Sequence, residues 1–376
     1  MDFNLSEDQR DLRDLAARIL GDATSDEAMR DFAAAGQPYD AALWRTLGEA
    51  GLLGLAVSEA GGGLGLGLVD LGLLLEEQGR TLAPLPLTGT LAMAAIALDR
   101  DGSEAQKAWL AKVVAGEAIL AVALEEIGGL DPARPATRAE ADGNGWRITG
   151  AKVAVPYAAE AQALLVTAAT PHGPALFLVD PATPGLRIDA QASTSGEPQA
   201  MVTLDGVALP GDAIVGGVDE GPRIVRDLVR RGQVALAQRQ VGVAAEALRR
   251  TADYSTNRIQ FGKALGSFQA VQQRAADAFI DVEAMRGTAL LAAWQIDTGV
   301  PQEADIATAK YWAAAGGHRV VHTAQHLHGG MGADVTYPIH RFFLTAIQIA
   351  EALGGQAPMA ARIGAAIAAG QTEPLA

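Results

Sequence analysis

The spacing of apolar residues changes twice along the chain, and this change of period constrains the fold more than any other feature. The first third has apolar residues at helical intervals, the middle alternates apolar and polar residues, and the last part returns to the helical interval. These periods bury one face of a helix and one face of a strand, respectively. The order predicts an α+β multidomain chain: an N-terminal helical domain, a small central β-domain and a C-terminal helical bundle. The predicted domains are residues 1–118, 119–218 and 219–376.

The central segment carries short strands separated by turn residues. Its DGNG stretch, Asp142–Gly145, is a hairpin signal and leads into the alternating run WRITGAKVAV. Strands this short and this closely spaced favour a small antiparallel barrel or sandwich over a βαβ unit. The strands are not followed by a Rossmann glycine fingerprint.

Long helices joined by short turns characterise the last part of the chain. Pro222 suits the first turn of a helix that continues to about Asn257, and Ser267 can cap the next helix. Pro358 marks a break before a last short helix. Helices of this length with short connections predict an antiparallel four-helix bundle.

Charge and composition exclude several classes of function. The chain has 29 basic and 44 acidic residues, a formal net charge of −15, and no cysteine. The acidic balance argues against nucleic acid and anionic membrane surfaces as partners. The absence of cysteine excludes thiolate catalysis and zinc–thiolate sites. No window of eighteen residues is purely apolar, and MDFNLSEDQRDLRDL is unlike a secretory signal, so we expect a soluble cytoplasmic protein.

The segment RIQFGKALGSFQAVQ has residues suited to a nucleotide. Arg258 can grip a pyrophosphate with two parallel hydrogen bonds, and Phe261 can lie against an adenine or a ribose. The alternative is a plain helix connection with a buried phenylalanine, and the physical argument alone favours that alternative.

The same segment resembles the most recognisable motif of the acyl-CoA dehydrogenase family, Arg-x-Gln-Phe-Gly followed by Phe-Gln. LHGGMG is similar to the family's glycine-rich flavin loop, GLLGLAVSEAGGGLGLG to its N-terminal helical domain, and GWRITGAKVAV to a strand of its β-domain. The resemblance covers nearly the whole chain in the family's order of domains.

The resemblance implies FAD, bound between domains and across a subunit interface. The family's contacts to the ADP half of a flavin held mainly by the neighbouring subunit, and to the flavin loop, fall on Arg258, Phe261, Gln269, Gly329 and Gly330. His326 stands where the family usually has Gln, and a neutral imidazole could still donate to FAD. The His stripe on which it lies, His318, His322 and His326 with His328 just beyond, could bind a metal, but a packed or interface helix face is favoured.

The reaction implied is α,β-dehydrogenation of an acyl-CoA thioester: a carboxylate removes the α-proton while the β-hydrogen leaves as hydride to the flavin. The family's usual catalytic Glu is replaced by Leu353, and the position used by a minority of members is Gly232. Glu351 is the remaining candidate base. Two residues on a helix rotate a side chain by about 200°, so a solvated surface position is favoured for it.

Other departures from the family fall around the flavin. ALEEIGGLDP replaces Thr-Glu-Pro-x-Ala-Gly-Ser-Asp, VAVPYAA replaces the stretch that stacks on the flavin, and Leu344-Thr345-Ala346 replaces Arg-Asp-Ala. The chain therefore resembles the base-lacking subunit of heteromeric bacterial acyl-CoA dehydrogenases, which use a separate electron acceptor. The alternatives are a homo-oligomeric enzyme with Glu351 as a displaced base, a flavin-binding or nucleic-acid-binding relative on the same fold, and a reaction that needs no base.

A basic strip on the first long helix of the bundle is the remaining cluster. It could meet CoA phosphates, and subunit salt bridges are equally plausible. Its members are Arg223, Arg226, Arg230, Arg231, Arg239, Arg249 and Arg250.

Overall fold

The computed structural model describes residues 3–129 and 131–370. The helices are α1 Glu7–Ala23, α2 Asp26–Ala35, α3 Ala41–Glu49, α4 Leu68–Thr81, α5 Ile96–Asp101, α6 Glu104–Val114, α7 Gly221–Asn257, α8 Gln269–Asp297, α9 Glu303–His328, α10 Ile339–Glu351 and α11 Gln356–Ala368. The strands are β1 Leu120–Ala123, β2 Arg138–Asp142, β3 Gly145–Pro156, β4 Ala163–Thr170, β5 Gly173–Val179, β6 Leu186–Gln191, β7 Gln199–Pro210, β8 Ile259–Gln260 and β9 Lys263–Ala264. A π-helical segment, Thr88–Ala95, precedes α5 directly.

The predicted order of helical, β and helical segments is confirmed. Strands β1 to β7 form one sheet in the order β1-β4-β2-β3-β7-β6, with β5 paired to β4. The predicted hairpin is also confirmed, because Asp142 pairs with Gly145 across a two-residue turn in which Gly143 has a φ of 59°. That conformation suits glycine. The sheet is not wholly antiparallel: β1 runs parallel to β4, with Leu120 opposite Ala163.

Packing divides the chain into two compact units. The helical unit comprises the described residues up to Ala34, Gly72–Ala83 and the described residues from Gln233 onward; the sheet unit comprises Ala35–Leu71 and Pro84–Gly232. This division differs from the predicted boundaries near residues 118 and 218, which stay predictions. Parts of α4 and α7 belong to each unit, so a change of hydrophobic period along the chain does not coincide with a change of packing unit.

The core of the helical unit relies on small side chains. Val241 and Ala244 of α7 pack with Val282 and Met285 of α8 in one buried cluster. On the other side of α7, a Cβ added at Gly242 would lie 1.8 Å from the carbonyl oxygen of Glu76, so glycine is required where α7 meets α4. An alanine-rich sequence with few aromatic residues fills its core by bringing helices close together in this way.

Two predicted helix boundaries are wrong. Ser267 does not cap α8: its hydroxyl donates to the Ala264 carbonyl oxygen over 2.7 Å, and Phe268 occupies the N-cap position. Pro358 does not mark the break before α11 but lies in its first turn, where the missing N–H has no intrahelical partner to lose. The interruption falls at residues 352–355, directly after α10. In the described part of the chain, no helix has the length and apolar character needed to cross a membrane.

Candidate functional site

The arm between α7 and α8 is a tight hairpin that presents an apolar side chain to solvent. Strands β8 and β9 are joined by Phe261 and Gly262, whose φ angles are 54° and 78°. Two successive positive φ angles suit a two-residue hairpin turn, but they strain a residue with a bulky side chain. Phe261 is 92% exposed, so the alternative of a buried phenylalanine is wrong. The exposed ring is therefore available to contact another molecule, and its strained backbone makes it a candidate functional residue.

The glycine-rich loop begins where α9 ends. Gly329 has a φ of 60°, and Cβ atoms added at Gly329 or Gly330 would meet nothing within 4 Å. Both glycines are exposed, as is His326 in the last turn of α9. The loop therefore leaves its backbone open to a ligand from outside the chain. Arg258 and Gln269, at the base of the arm, are exposed as well.

A buried histidine, which sequence reasoning placed only in the histidine stripe, connects the arm to the loop. The ring of His328 stacks on Tyr254 near the end of α7, with centroids 4.4 Å apart. Its Nδ1–H donates to the Ala324 carbonyl oxygen over 2.8 Å, because a carbonyl only accepts, and its Nε2 lies 3.3 Å from the Tyr337 hydroxyl. Burial lowers the pKa of His328, which favours the neutral ring that this bonding pattern needs. The two candidate flavin contacts are thus parts of one anchored surface.

Hydrogen bonds hold the turn at Leu353, the position at which the family resemblance predicts the catalytic base. Leu353 is 7% exposed, directly follows the α10 C-cap residue and has a φ of 55°. The Gln233 side-chain amide donates to the Leu353 carbonyl oxygen over 2.8 Å. Lys310, fully buried in α9, donates to the carbonyl oxygens of Ile349 and Ala350 over 3.0 and 2.8 Å. These carbonyls at the end of α10 lack intrahelical partners, and an ammonium group suits the negative end of the helix dipole.

Gln233 and Lys310 were missed by sequence reasoning. Lys310 is a charged residue inside a largely apolar helical stretch, and that contrast was a signal for it, whereas Gln233 lies among other polar residues that hide it. The two other candidate positions for the base, Glu351 and Gly232, differ in burial. Glu351 is exposed and is the last residue of α10, so the helix does not end early, and Gly232 is a buried residue of α7.

The β-domain segment that would stack on a flavin has its backbone donors engaged within the chain. The Ala154 N–H donates to the Gln191 side chain over 2.9 Å, and the Tyr157 N–H donates to the Pro198 carbonyl oxygen over 3.0 Å. Pro156 has no N–H to offer. Ala154 and Tyr157 also adopt positive φ angles, 50° and 53°, in the space of four residues. This segment does not fit an isoalloxazine that needs backbone donors, whereas the arm and the glycine-rich loop fit an external nucleotide.

A buried ion pair fixes the neighbouring ALEEIGGLDP segment, of which Leu130 lies outside the described residues. Lys152, which is 0% exposed, donates from Nζ to Glu126 Oε1 over 2.6 Å and to the Thr167 hydroxyl over 3.0 Å. Glu126 also accepts from the backbone N–H groups of Ala136 and Thr137. Burial lowers the pKa of Lys152 to about 8 despite its carboxylate partner. Burial opposes ionisation of Glu126 too, but the hydrogen bonds from Lys152 and Thr137 hold its pKa below 4.5.

The histidine stripe and the basic strip are mostly explained by contacts within the chain. His318 and His322 lie with their Nε2 atoms 3.0 Å apart on an exposed face. Within residues 3–129 and 131–370, no group of three or more His, Cys, Asp or Glu side chains could hold a metal ion. Most of the strip arginines form salt bridges inside their own unit: Arg223 with Asp101, Arg230 with Asp227, Arg249 with Glu246 and Arg250 with Asp26.

Comparison with known proteins identifies the family. Family models for the N-terminal, middle and C-terminal domains of acyl-CoA dehydrogenase match residues 6–117, 121–207 and 219–368. The chain belongs to the acyl-CoA dehydrogenase family. The predicted family and fold class are therefore confirmed, and the chain is an oxidoreductase of this family.

Curated and solved relatives cover almost the whole chain. Acyl-CoA dehydrogenase FadE27 of Mycobacterium tuberculosis is 38% identical over 98% of this chain and 99% of its own length. A variant of the Tcur3481-Tcur3483 steroid ACAD is 44% identical with a TM-score of 0.91, covering 98% of this chain and 99% of that one. The ChsE4-ChsE5 complex from M. tuberculosis contains a chain 38% identical with a TM-score of 0.92, and each chain is covered completely. FAD, the predicted cofactor, is confirmed for the family by relatives such as the FAD complex of PigA, which is 26% identical with a TM-score of 0.90 over 98% of this chain and 99% of its own.

Proposed function

We propose that this chain is the base-lacking subunit of a heteromeric acyl-CoA dehydrogenase, and that it completes the flavin site of a base-bearing partner chain. The observation that carries the proposal is the buried hydrocarbon side chain of Leu353, whose backbone carbonyl accepts from Gln233. The family resemblance predicts the catalytic carboxylate at this position. Leucine cannot accept the α-proton of a thioester, so the proton must go to a carboxylate on another chain.

The arm and the glycine-rich loop supply what this subunit gives to the partner. Arg258 would pair with a phosphate of the nucleotide, and Phe261 would cover its adenine or ribose. Gln269 and His326 would donate hydrogen bonds to it, and Gly329 and Gly330 would allow close approach of the backbone. When bound, FAD supplies the hydride acceptor. The exposure of all these groups in the isolated chain supports a ligand that a second subunit brings.

The segment from Ala154 to Tyr157 supports the other half of the proposal. Its engaged N–H groups and its proline leave little to hold an isoalloxazine within this chain. The pair would therefore have one complete flavin site, formed by the partner's base and flavin-stacking segment together with this chain's arm.

The substrate we propose is a bulky acyl-CoA, such as a steroid carrying a CoA-activated side chain, with electrons passed to a separate acceptor. Two solved relatives support this proposal. One is a steroid ACAD with two named components, and the other is the ChsE4-ChsE5 complex, which also has two named components.

Co-expression tests the proposal. The chain purified alone is expected to contain little FAD and to leave saturated acyl-CoA esters unoxidised. The chain co-purified with the dehydrogenase encoded beside it is expected to contain one FAD per unlike pair and to turn over. If the chain alone is yellow and bleaches on addition of a saturated acyl-CoA, releasing the enoyl product, the proposal is wrong.

The alternative in which Glu351 is a displaced base is tested by Glu351→Gln. Because Glu351 is exposed on the last turn of α10, we expect unchanged turnover of the complex. A fall of 100-fold or more in kcat would identify Glu351 as the base, since general bases contribute on the order of 10²–10⁴-fold.

A further inference from the structure

One buried arginine of the basic strip has no counter-ion hydrogen-bonded to it among the residues that the structure describes. Arg231 lies in the sheet-unit part of α7 and is 2% exposed. Its Nε and Nη2 atoms are buried and have no hydrogen-bond partner among residues 3–129 and 131–370. These two nitrogens form one edge of the guanidinium group, the edge that binds the two oxygens of a carboxylate side by side.

The acidic groups near Arg231 are already engaged by other arginines. Asp101 accepts from Arg223 Nη2 over 2.5 Å, and Asp227 accepts from Arg230 Nη1 over 3.0 Å. Burial, together with the nearby charge of Arg100, lowers the pKa of Arg231 to about 10. The side chain is therefore still charged at neutral pH, and the protein holds a buried cation without a bonded anion.

Such an arrangement is unfavourable for folding by itself. Taking a charge out of water is repaid only when an opposite charge and hydrogen bonds replace the lost hydration. Apolar residues fit the same helix positions nearby, since Leu228 and Val234 are buried in α7. A charged residue whose Nε–Nη2 edge has no hydrogen-bond acceptor among the described residues is suited to an anion from outside them.

We infer that the Nε–Nη2 edge of Arg231 is the receptor for the carboxylate of a small molecule. A carboxylate presents two coplanar oxygens that match this edge, and its single charge neutralises the guanidinium group. A phosphate dianion would leave a buried excess of negative charge. Because the edge is closed to solvent, binding requires local opening and is expected to be slower than diffusional association. This inference does not depend on which chain supplies the catalytic base.

The ligand has two sources in principle, a free carboxylic acid or an acyl-CoA whose acyl group ends in a carboxylate. Sodium adipate serves as the first probe, with sodium chloride at matched ionic strength and sodium phosphate as comparisons. Adipyl-CoA against hexanoyl-CoA serves as the second, because the two thioesters differ only in the terminal carboxylate.

Thermal unfolding of the full chain gives the readout. We expect adipate or adipyl-CoA to raise the unfolding midpoint of the wild type. Arg231→Met is expected to remove this shift of the unfolding midpoint. It should also weaken binding by about tenfold or more, because the hydrogen bonds between the guanidinium group and the carboxylate are lost. Arg231→Met without ligand is expected to be at least as stable as the wild type, because an unpaired buried charge is gone. The matched control, Arg226→Met, alters an exposed arginine of the same helix and should keep the shift.

The outcomes distinguish a free carboxylic acid from an acyl-CoA as the ligand, and they also test the inference itself. A shift with adipate assigns a free acid, and a shift with adipyl-CoA but not with adipate or hexanoyl-CoA assigns the acyl group. Arg231→Lys, which keeps the charge and loses the paired edge, should lose most of the shift. Equal shifts in the wild type and Arg231→Met, a larger response to phosphate than to the carboxylates, or no response to either adipate or adipyl-CoA would each overturn the inference.

Discussion

At the scale of single residues, the Glu126–Lys152 pair shows how a buried charge is retained. Lys152 has lost all contact with solvent, and its stability depends on the carboxylate 2.6 Å away. Glu126→Gln would leave an uncompensated buried ammonium group, so we expect it to lower the free energy of unfolding by about 3–5 kcal/mol. Urea unfolding at pH 7 measures this. Glu140→Gln, at an exposed position on β2, is the control and should change stability little.

The same pair predicts an acid limb of stability. The pKa of Glu126 is held below 4.5 in the folded chain, so the carboxylate contributes stability that is fully present above that value. This contribution is lost as the pH falls through the lower folded pKa. Urea midpoints between pH 6 and 3 should therefore fall more steeply for the wild type than for Glu126→Gln. Parallel curves for the two proteins would contradict the assignment.

Substitutions of Phe261 can distinguish a role of its side chain in folding from a role in binding. Its ring is exposed, so Phe261→Ala should change the stability of the isolated chain by no more than about 0.5 kcal/mol. Phe261→Gly should stabilise the chain by about 1 kcal/mol, because glycine adopts the positive φ without strain. Both changes should reduce the FAD retained by the complex, measured by absorbance after gel filtration.

Ile259→Ala, at a neighbouring exposed position on the same arm, is the control for FAD retention. If Phe261→Ala destabilises the isolated chain as a core truncation does, by several kcal/mol, the ring is a structural element and its proposed contact with the nucleotide is wrong.

At the scale of elements, hydrogen bonds from two other helices hold the end of α10. Gln233 of α7 binds the Leu353 carbonyl, and Lys310 of α9 binds the last carbonyls of α10. Gln233→Leu and Lys310→Met would each leave buried carbonyl groups without these donors, at a cost of about 1–3 kcal/mol per group. Because both residues fix the same turn, their effects should not add: a double-mutant cycle should give a coupling energy of about 0.5 kcal/mol or more. Additive losses would show that the two contacts act independently.

The elements themselves were largely predictable from sequence. Helical and alternating periods located the helical and β segments and the long helix α7, and DGNG located the β2–β3 hairpin, because each of these depends on residues close together in the chain. What could not be predicted depends on distant residues. The parallel pairing of β1 with β4 joins residues 43 positions apart, for example Leu120 with Ala163.

The candidate site likewise has parts that the sequence predicts and contacts that it does not. The arm and glycine loop carry recognisable motifs, but the contact that joins them, His328 with Tyr254, links residues on two different helices. Ser267 is a similar case at short range: a cap residue in type, it bonds backward to Ala264 because the chain turns before α8 begins. Local preference gave the residue type of the cap, and the turn geometry decided the bond.

At the scale of the whole molecule, the proposed function rests on two separate places in the chain. One is Leu353, where the family resemblance predicts the catalytic carboxylate, and the other is the Ala154–Tyr157 segment, in which the N–H groups of Ala154 and Tyr157 are engaged internally. A single missing carboxylate could be restored by one substitution. Under the proposed function, two deficits on different elements mean that this chain has given up its own catalytic site and keeps its arm.

This difference gives a prediction for Leu353→Glu. In the isolated chain the new carboxylate should not produce acyl-CoA oxidation, because the segment that would hold an isoalloxazine is unchanged. In the proposed complex, turnover should stay within about twofold of the wild type, since the proposed reaction site contains the partner's base. Turnover and flavin bleaching with the same acyl-CoA measure both. The substitution buries an acid at a site that is 7% exposed, so its pKa should rise and unfolding should be checked first. If the folded Leu353→Glu chain alone gains turnover, the flavin site was intact and only the base had been lost.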